Sequence, residues 1–268
     1  MAEWITLPAA PGAAAPDGTA AGRPAGSLAG QQAEGTGVVS VPLRCWWAAP
    51  AQPTRGAIVV LPEVFGINAW VRSVADRLAL EGYAALAVPL FARTAPALEL
   101  GYSAADLAEG RSHKDRTNSA ELLADLDVAC RWLQERTGAG QLGCVGFCFG
   151  GHAALLAASL PQIAATADFY GAGVASGRPG GGPPTLKVLP GVTGRLWCFC
   201  GRRDPLMPAA EVAAIGAALR QADPVGRRHR LIELDAGHGF MCEARLDHDP
   251  AAAASGWQGL LELFATTL

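Results

Sequence analysis

The chain has 268 residues, 50% of them hydrophobic, and a formal net charge of -3. A chain of this length can bury a large core, and a single α/β domain is a common outcome. The weak negative charge offers no basic surface for nucleic acid, and no apolar run approaches the roughly 18 to 20 residues that a membrane span requires.

The cysteines and the N-terminus indicate where the protein works. Seven cysteines are scattered without regular spacing, which suits a reducing compartment and argues against a disulfide framework. The first residues lack the positive and apolar regions of a signal peptide, so we expect a cytoplasmic protein. We expect no nucleic-acid or membrane partner, and either a monomer or a small homo-oligomer.

The N-terminal segment, residues 1–37, is dominated by Ala, Gly and Pro. Such a composition has too little apolar surface to offset the chain entropy, so the sequence predicts a flexible segment. Trp4 and Ile5 could still pair as a short edge strand before it. The folded domain is then expected to span 38–268.

Strands and helices alternate along the remaining sequence. Short apolar runs typical of buried strands lie at 38–47, 57–62, 83–89, 142–147, 164–170, 196–201 and 230–234. Amphipathic helices are predicted near 68–80, 104–111, 119–136, 149–160, 208–219 and 250–268. This alternation predicts one doubly wound, mainly parallel sheet with helices on both faces. A Gly/Pro-rich loop at 171–194 is either a lid or a disordered insertion.

The most informative stretch is Gly146-Phe147-Cys148-Phe149-Gly150-Gly151, between a predicted strand and a helix-prone run. This context is typical of a nucleophile elbow, in which a strained tight turn exposes the nucleophile, here Cys148. Glycines at 146 and 150 leave room for the crossing strand and helix. Cys148 would lie at a helix N-terminus, where the peptide dipoles favour a thiolate.

Further polar residues follow the predicted ends of other strands. Asp204 follows the strand at 196–201, His238 follows the last strand, and Glu63 follows the strand at 57–62. Nucleophile, acid and then histidine is the chain order of an α/β-hydrolase triad. Each residue alone could be a turn or core residue, but their joint order and placement favour catalysis. We see no metal site and expect no cofactor.

Taken together, these motifs resemble the dienelactone hydrolase family (carboxymethylenebutenolidases) of the α/β-hydrolase fold. The resemblance runs from about Val41 to the C-terminus. It depends on the segments 62–68 (PEVFGIN), 90–93 (LFAR), 146–151 (GFCFGG) and 237–240 (GHGF), together with Asp204 shortly before Pro208.

The resemblance implies roles for individual residues. Cys148, Asp204 and His238 would form the triad, and Glu63 would contact the thiol in the resting enzyme and help to generate the thiolate. The elbow points the amide of Phe149 at the developing oxyanion, and the amide of Val64 is the expected second donor. Arg93 matches a family arginine that receives the substrate carboxylate.

This sequence departs from the family at one binding position. A second arginine is expected four residues after the catalytic histidine, but Cys242 stands there and Arg245 follows three residues later. We therefore expect hydrolysis of a lactone or small activated ester through a thioester acyl-enzyme. Two alternatives stay open: a general carboxylesterase for uncharged small esters, and a non-catalytic ligand-binding or redox-sensing relative.

Overall fold

The computed structural model describes residues 2–8, 41–52 and 54–268. The strands are β1 Ala2–Leu7, β2 Leu43–Ala48, β3 Ala57–Leu61, β4 Ala84–Ala87, β5 Leu142–Phe147, β6 Ile163–Phe169, β7 Arg195–Gly201 and β8 His229–Leu234. The helices are α1 Ala69–Leu80, α2 Ala104–Lys114, α3 Ser119–Thr137, α4 Phe149–Ala157, α5 Ala209–Ala222 and α6 Pro250–Ala265, with a short 3-10 helix at Thr185–Gly191.

The described strands form one eight-stranded sheet in the order β1-β2-β4-β3-β5-β6-β7-β8. The pairs β1–β2 and β2–β4 are antiparallel, and every pair from β4 to β8 is parallel. The predicted doubly wound, mainly parallel sheet is thereby confirmed. The chain leaves β3 on one side to form β4 and later returns on its other side as β5.

The central strands are buried on both faces. All five residues of β3 are buried; Ile58 and Val60 belong to one core cluster, while Ala57, Val59 and Leu61 belong to another. This division follows from the two-residue repeat of a strand, which sends successive side chains to opposite faces. The sheet is therefore packed between two hydrophobic layers, which fix the positions of its strand ends.

Local capping chemistry sets the helix starts around the sheet edge. The side chain of Asn68 accepts a hydrogen bond from the amide of Val71 at the start of α1, as the sequence predicts. Ser103 and Asp106 form a reciprocal capping box at the start of α2. Helix α2 extends to Lys114, three residues beyond its predicted end at 111, and this last turn brings one more cation to the sheet edge.

The N-terminal residues 2–8 and the loop at 171–194 both form defined structure. The predicted pairing of Trp4 and Ile5 occurs, because β1 pairs antiparallel with β2, while residues 9–40 lie outside the described part. The loop at 171–194 is folded over α4: the 3-10 helix begins at Thr185, whose hydroxyl contacts His152 Nε2 at 2.7 Å. Among the described residues, no helix is long and apolar enough to cross a membrane.

Candidate active site

The point where the strand order reverses lies between β3 and β5. Glu63 follows β3, and Cys148 follows β5 directly. In open α/β sheets, ligands bind outside the carboxyl ends of the strands at such a reversal, because the loops on either side diverge and leave a crevice. The topology therefore brings two predicted site residues to the place where this fold binds ligands.

The elbow at Cys148 is strained and tightly packed. Cys148 has φ 56 and ψ -119, and a positive φ is uncommon for a non-glycine residue. A Cβ at position 146 would lie 1.9 Å from the carbonyl oxygen of Gly150, and one at position 150 would lie 2.4 Å from the carbonyl oxygens of Leu61 and Pro62. The two glycines thus permit the close approach that presents the Cys148 side chain.

The predicted oxyanion donors lie beside Cys148. Phe149 is the first residue of α4, so its amide has no carbonyl partner within the helix. Phe149 and Val64 line the same cavity as Cys148. The two residues predicted to donate to an oxyanion come from separate segments and both line the cavity that contains Cys148.

His238 is held by Asp204 in a buried pair. The distance from His238 Nδ1 to Asp204 Oδ2 is 2.7 Å, and both side chains are almost fully buried. The imidazole packs edge-on against Tyr170 with 5.1 Å between ring centroids. His238 Nε2 is buried and has no hydrogen-bond partner among the described residues, and His238 lines the cavity with Cys148. Asp204 therefore orients the ring through Nδ1, and Nε2 has no partner among the described residues.

The charged form of His238 is favoured in this site. Burial acts to lower the pKa of His238, but the negative charge of Cys148 and the bond to Asp204 together raise it to about 10. The site therefore stabilises the imidazolium form of His238.

Glu63 contacts an arginine that the sequence resemblance did not assign to it. Its Oε1 accepts a hydrogen bond from Arg245 Nη1 at 2.7 Å, and its Oε2 is buried without a partner among the described residues. Burial raises the pKa of Glu63, and the charges of Arg245 and His238 partly offset that rise. A hydrogen bond from Cys148 to Glu63, which the resemblance implies for the resting enzyme, is not observed.

Cys242 and Arg245 lie in different surroundings. The Cys242 side chain is buried, and its Sγ donates to the hydroxyl of Tyr102 at 3.2 Å. Arg245 instead reaches the cavity, with 16% of its side chain exposed and its guanidinium on Glu63. Arg245 therefore places a positive group in the cavity that contains Cys148, although position 242 carries none.

Arg93 is held away from the cavity. Its guanidinium pairs with both carboxylate oxygens of Asp125 and lies 3.6 Å from Glu121. It is not among the residues that line the cavity with Cys148. The structure therefore brings Cys148, His238, Asp204 and Glu63 together but does not bring Arg93 to them, and its predicted carboxylate-binding role gains no support.

The cavity has a volume of about 440 Å³. Its walls include α2, which the sequence did not assign to the site, and the loop at 171–194, which the sequence predicted as either a lid or a disordered insertion. Helix α2 contributes Arg111 and Lys114, and the loop after β6 contributes Ala172, Gly173 and Ser176. His152 holds this loop through the carbonyl of Ala172 at 3.0 Å, and Glu211 accepts from the amide of Ala175 at 3.4 Å. Only the 3.6-residue period of α2, continued past 111, could have indicated these cations.

No group of three or more potential metal ligands is found among residues 2–8, 41–52 and 54–268.

The chain matches the model of the "Dienelactone hydrolase family" over residues 43–268. A protein of Synechocystis sp. that bears the provisional name carboxymethylenebutenolidase is 38% identical over 214 residues, which cover 79% of this chain and 86% of the relative. A protein of Bradyrhizobium sp. provisionally named a 2-oxo-3-(5-oxofuran-2-ylidene)propanoate lactonase is 30% identical over 209 residues, 76% of this chain and 81% of the relative.

A solved structure shares the fold. The crystal structure of a provisionally named dienelactone hydrolase from Klebsiella pneumoniae matches with a TM-score of 0.73 and 26% identity, and the match covers 84% of this chain and 93% of that one. The chain therefore belongs to the dienelactone hydrolase family and is a carboxylic ester hydrolase of that type.

Proposed function

We propose that this protein hydrolyses a small lactone or activated ester that carries a carboxylate, through a thioester on Cys148. The observation that carries the proposal is the meeting of Cys148 and His238 in one cavity, while Asp204 holds the far nitrogen of His238 at 2.7 Å. The elbow, the pair of amides and the buried acid–histidine pair together supply the parts of acyl transfer.

In the first step the Cys148 thiolate attacks the carbonyl carbon. The amides of Phe149 and Val64 hold the oxyanion, and the C–O bond of the ester then breaks. His238 gives its Nε2 proton to the departing oxygen. In the second step a water molecule loses a proton to His238 and attacks the thioester, which releases the acid and restores the thiolate.

A sulfur nucleophile suits esters with good leaving groups. A thiolate is itself easily expelled from the tetrahedral intermediate, so it must compete with the oxygen that is meant to leave. The leaving group of an enol ester or an aryl ester is a stabilised anion and departs more readily than the thiolate, whereas the amine of an amide does not. Activated esters and lactones are therefore the expected substrate class.

Arg245 is the group that we assign to the substrate carboxylate. It lines the cavity, contacts Glu63 at 2.7 Å and Asp247 at 3.5 Å, and lies 5.9 Å from the centroid of the Phe65 ring. A substrate carboxylate at Arg245 would compete with Glu63 for the guanidinium. Since Arg245 lowers the pKa of Glu63, its withdrawal would raise that pKa and make Glu63 a better base towards the Cys148 thiol.

The names of two relatives support an anionic lactone as substrate, because the Bradyrhizobium protein is named for a lactone that carries a propanoate and the Synechocystis protein for carboxymethylenebutenolide. Their identities of 30% and 38% leave the acid portion of this protein's own substrate open to test.

The test is steady-state hydrolysis of a dienelactone and of p-nitrophenyl acetate by wild type, Cys148→Ala and Cys144→Ala. Cys144 is a buried cysteine on the same strand and does not line the cavity, so it controls for the loss of a thiol. We expect turnover of both esters by wild type and Cys144→Ala, and none by Cys148→Ala. Turnover of the neutral ester alone would favour the general carboxylesterase, and unchanged turnover in Cys148→Ala would overturn the mechanism.

A further inference from the structure

Helix α2 carries two cations that the proposed reaction does not use. Arg111 and Lys114 are three residues apart, so they share one face of the helix, and both line the cavity that contains Cys148. The guanidinium of Arg111 has no ion-pair or hydrogen-bond partner among the described residues. Lys114 contacts Asp115 at 2.7 Å, in an exposed pair of adjacent residues.

A close helix contact places this pair beside the oxyanion segment. A Cβ at position 110 would lie 2.3 Å from the carbonyl oxygen of Val64, so α2 packs directly on the residue that follows Glu63. Arg111 is the next residue along the helix. Its position relative to the nucleophile is therefore fixed by main-chain packing, although the end of its side chain is exposed to solvent.

The charge of the cavity wall is unbalanced. The described residues that line the cavity include three cations, Arg111, Lys114 and Arg245, and a single carboxylate, Glu211. Glu211 lies on α5 and accepts a hydrogen bond from the amide of Ala175. Burial is the main cause that lowers the pKa of His152 to about 4, and the positive charges of Lys114 and Arg178 lower it as well. The hydrogen bond with Ala172 acts in the opposite direction and raises this pKa. The positive potential thus extends from α2 to the loop after β6.

The size of the cavity leaves room for a second group. Its volume of about 440 Å³ falls in the range of sites that enclose drug-sized ligands, and it is larger than a small lactone would fill. A substrate whose first carboxylate meets Arg245 would extend towards the other charged wall. The guanidinium of Arg111 and the ammonium of Lys114 would donate charge-assisted hydrogen bonds to a second carboxylate at that end of the substrate.

We propose that Arg111 and Lys114 form a second anion-binding subsite, and that the preferred substrates are small lactones or esters with two carboxylates, one at Arg245 and one at this pair. The inference rests on the proposed function, because it names the acid portion of the same reaction. Arg111 and Lys114 are specificity-determining residues and take no part in the bond-making steps.

The test uses three p-nitrophenyl esters with acyl chains of equal length: hexanoate with no free carboxylate, adipate with one, and 3-carboxyadipate with two. Each is assayed with wild type and with Arg111→Gln/Lys114→Gln. The control is Arg131→Gln/Arg227→Gln, which removes the same net charge from exposed arginines outside the cavity.

We expect the double variant to lower kcat/KM for the two-carboxylate ester about tenfold, since hydrogen bonds to charged groups are the stronger ones but exposure weakens them. The neutral and one-carboxylate esters and the control variant should change by less than about threefold. Added salt should shrink the wild-type preference for the two-carboxylate ester, because it screens exposed charges.

Binding to Cys148→Ala supplies a readout that is independent of turnover. By calorimetry, adipate should bind more tightly than hexanoate, and Arg111→Gln/Lys114→Gln should remove that difference. Equal losses on all three esters, or an unchanged preference for adipate, would overturn the subsite and leave the hydrolase standing. If wild type hydrolysed none of the esters through Cys148, the proposed function would fall, and the substrate assignment made here with it.

Discussion

Two arginine–carboxylate pairs near the sheet edge look alike in sequence and differ in structure. Arg93 meets Asp125 with both carboxylate oxygens engaged, and neither residue lines the cavity. Arg245 meets Glu63 through one oxygen, leaves the other without a partner among the described residues, and faces the cavity. The pair of Arg93 and Asp125 is closed, because both carboxylate oxygens are bonded, and it holds elements of the fold together. The pair of Arg245 and Glu63 is open, because one carboxylate oxygen is unused, and it can exchange partners with a substrate.

The role of an arginine therefore depends on whether its guanidinium bonds both oxygens of the partner carboxylate or only one. A bidentate guanidinium–carboxylate contact satisfies both groups, so a substrate gains little by replacing it. A singly bonded pair keeps unused hydrogen-bonding capacity on both partners. In the proposed function, Glu63 and Arg245 are therefore the pair through which the substrate charge acts on Cys148.

The largest effect is expected at the open pair, in Glu63→Gln. The amide keeps the shape and the hydrogen-bond acceptor but cannot take a proton, so kcat/KM should fall about a hundredfold, as for the loss of a general base. The thermal unfolding midpoint should stay close to that of wild type, because the amide oxygen can still accept from Arg245, which also keeps its contact with Asp247 at 3.5 Å.

The matched control for Glu63→Gln is Glu262→Gln, an exposed glutamate paired with Arg230 on the surface. It should keep wild-type kcat/KM. Full activity in Glu63→Gln would show that His238 alone suffices as the base and would remove the link from Arg245 to the nucleophile.

A smaller and more selective effect is expected in Arg245→Gln. The kcat/KM for a carboxylate-bearing lactone should fall about tenfold relative to that for p-nitrophenyl acetate, because one charge-assisted contact is lost. Equal losses on the charged and neutral substrates would place the substrate carboxylate elsewhere in the cavity.

The same variant should shift the pH profile. Burial raises the pKa of Glu63 and Arg245 lowers it, so removing Arg245 raises that pKa further. The acid limb of the kcat/KM profile for the neutral ester should therefore move to higher pH in Arg245→Gln and stay in place in Arg230→Gln. A shift to lower pH would contradict the assigned sign of the interaction.

The smallest effect on specificity is expected in Arg93→Ala. The ratio of kcat/KM for charged and neutral esters should not change, but the protein should lose about 3–5 kcal/mol of unfolding free energy, since Asp125 would be left buried without its cation. The exposed pair of Arg131 and Asp127 offers a control, for which Arg131→Ala should cost about 0.5 kcal/mol or less.

The loss in Arg93→Ala should also depend on pH. Burial raises the pKa of Asp125, and Arg93 opposes that rise. Without Arg93 the folded-state pKa moves further above the unfolded value, so stability is retained below the unfolded pKa and lost as pH rises through the folded one. Denaturant unfolding should show a larger deficit at pH 7 than near pH 4; a deficit that is equal at both would mean that lost packing, and not charge, is responsible.

Much of this site could be predicted because it follows strand ends. The apolar runs locate β3, β5, β7 and β8, and Glu63, Cys148, Asp204 and His238 follow them directly. Once the sheet is known to be parallel, these residues must meet at one edge. The strained backbone at Cys148 could be inferred from its flanking glycines, because local sterics determine it.

The arginine partners could not be predicted in the same way. Arg245 and Glu63 are 182 residues apart, and Arg93 and Asp125 are 32 apart; both arginines follow predicted strand ends and precede helices. Which carboxylate each reaches depends on loop paths and rotamers that local patterns do not encode. The sequence also shows that Cys242 replaces a family arginine and that Arg245 follows three positions later, but it does not show that Arg245 contacts Glu63.

The central claim is that the acyl group is carried by Cys148, and mapping that group tests it most directly. Wild type and His238→Gln, in which the base for the second step is lost, would be mixed with excess p-nitrophenyl acetate, quenched in acid and analysed by peptide mass mapping. We predict a hydroxylamine-labile acetyl thioester on the peptide that contains Cys148, more persistent in His238→Gln and absent in Cys148→Ala. An acetyl group on another residue such as Cys242, or turnover by Cys148→Ala at the wild-type rate, would contradict the account.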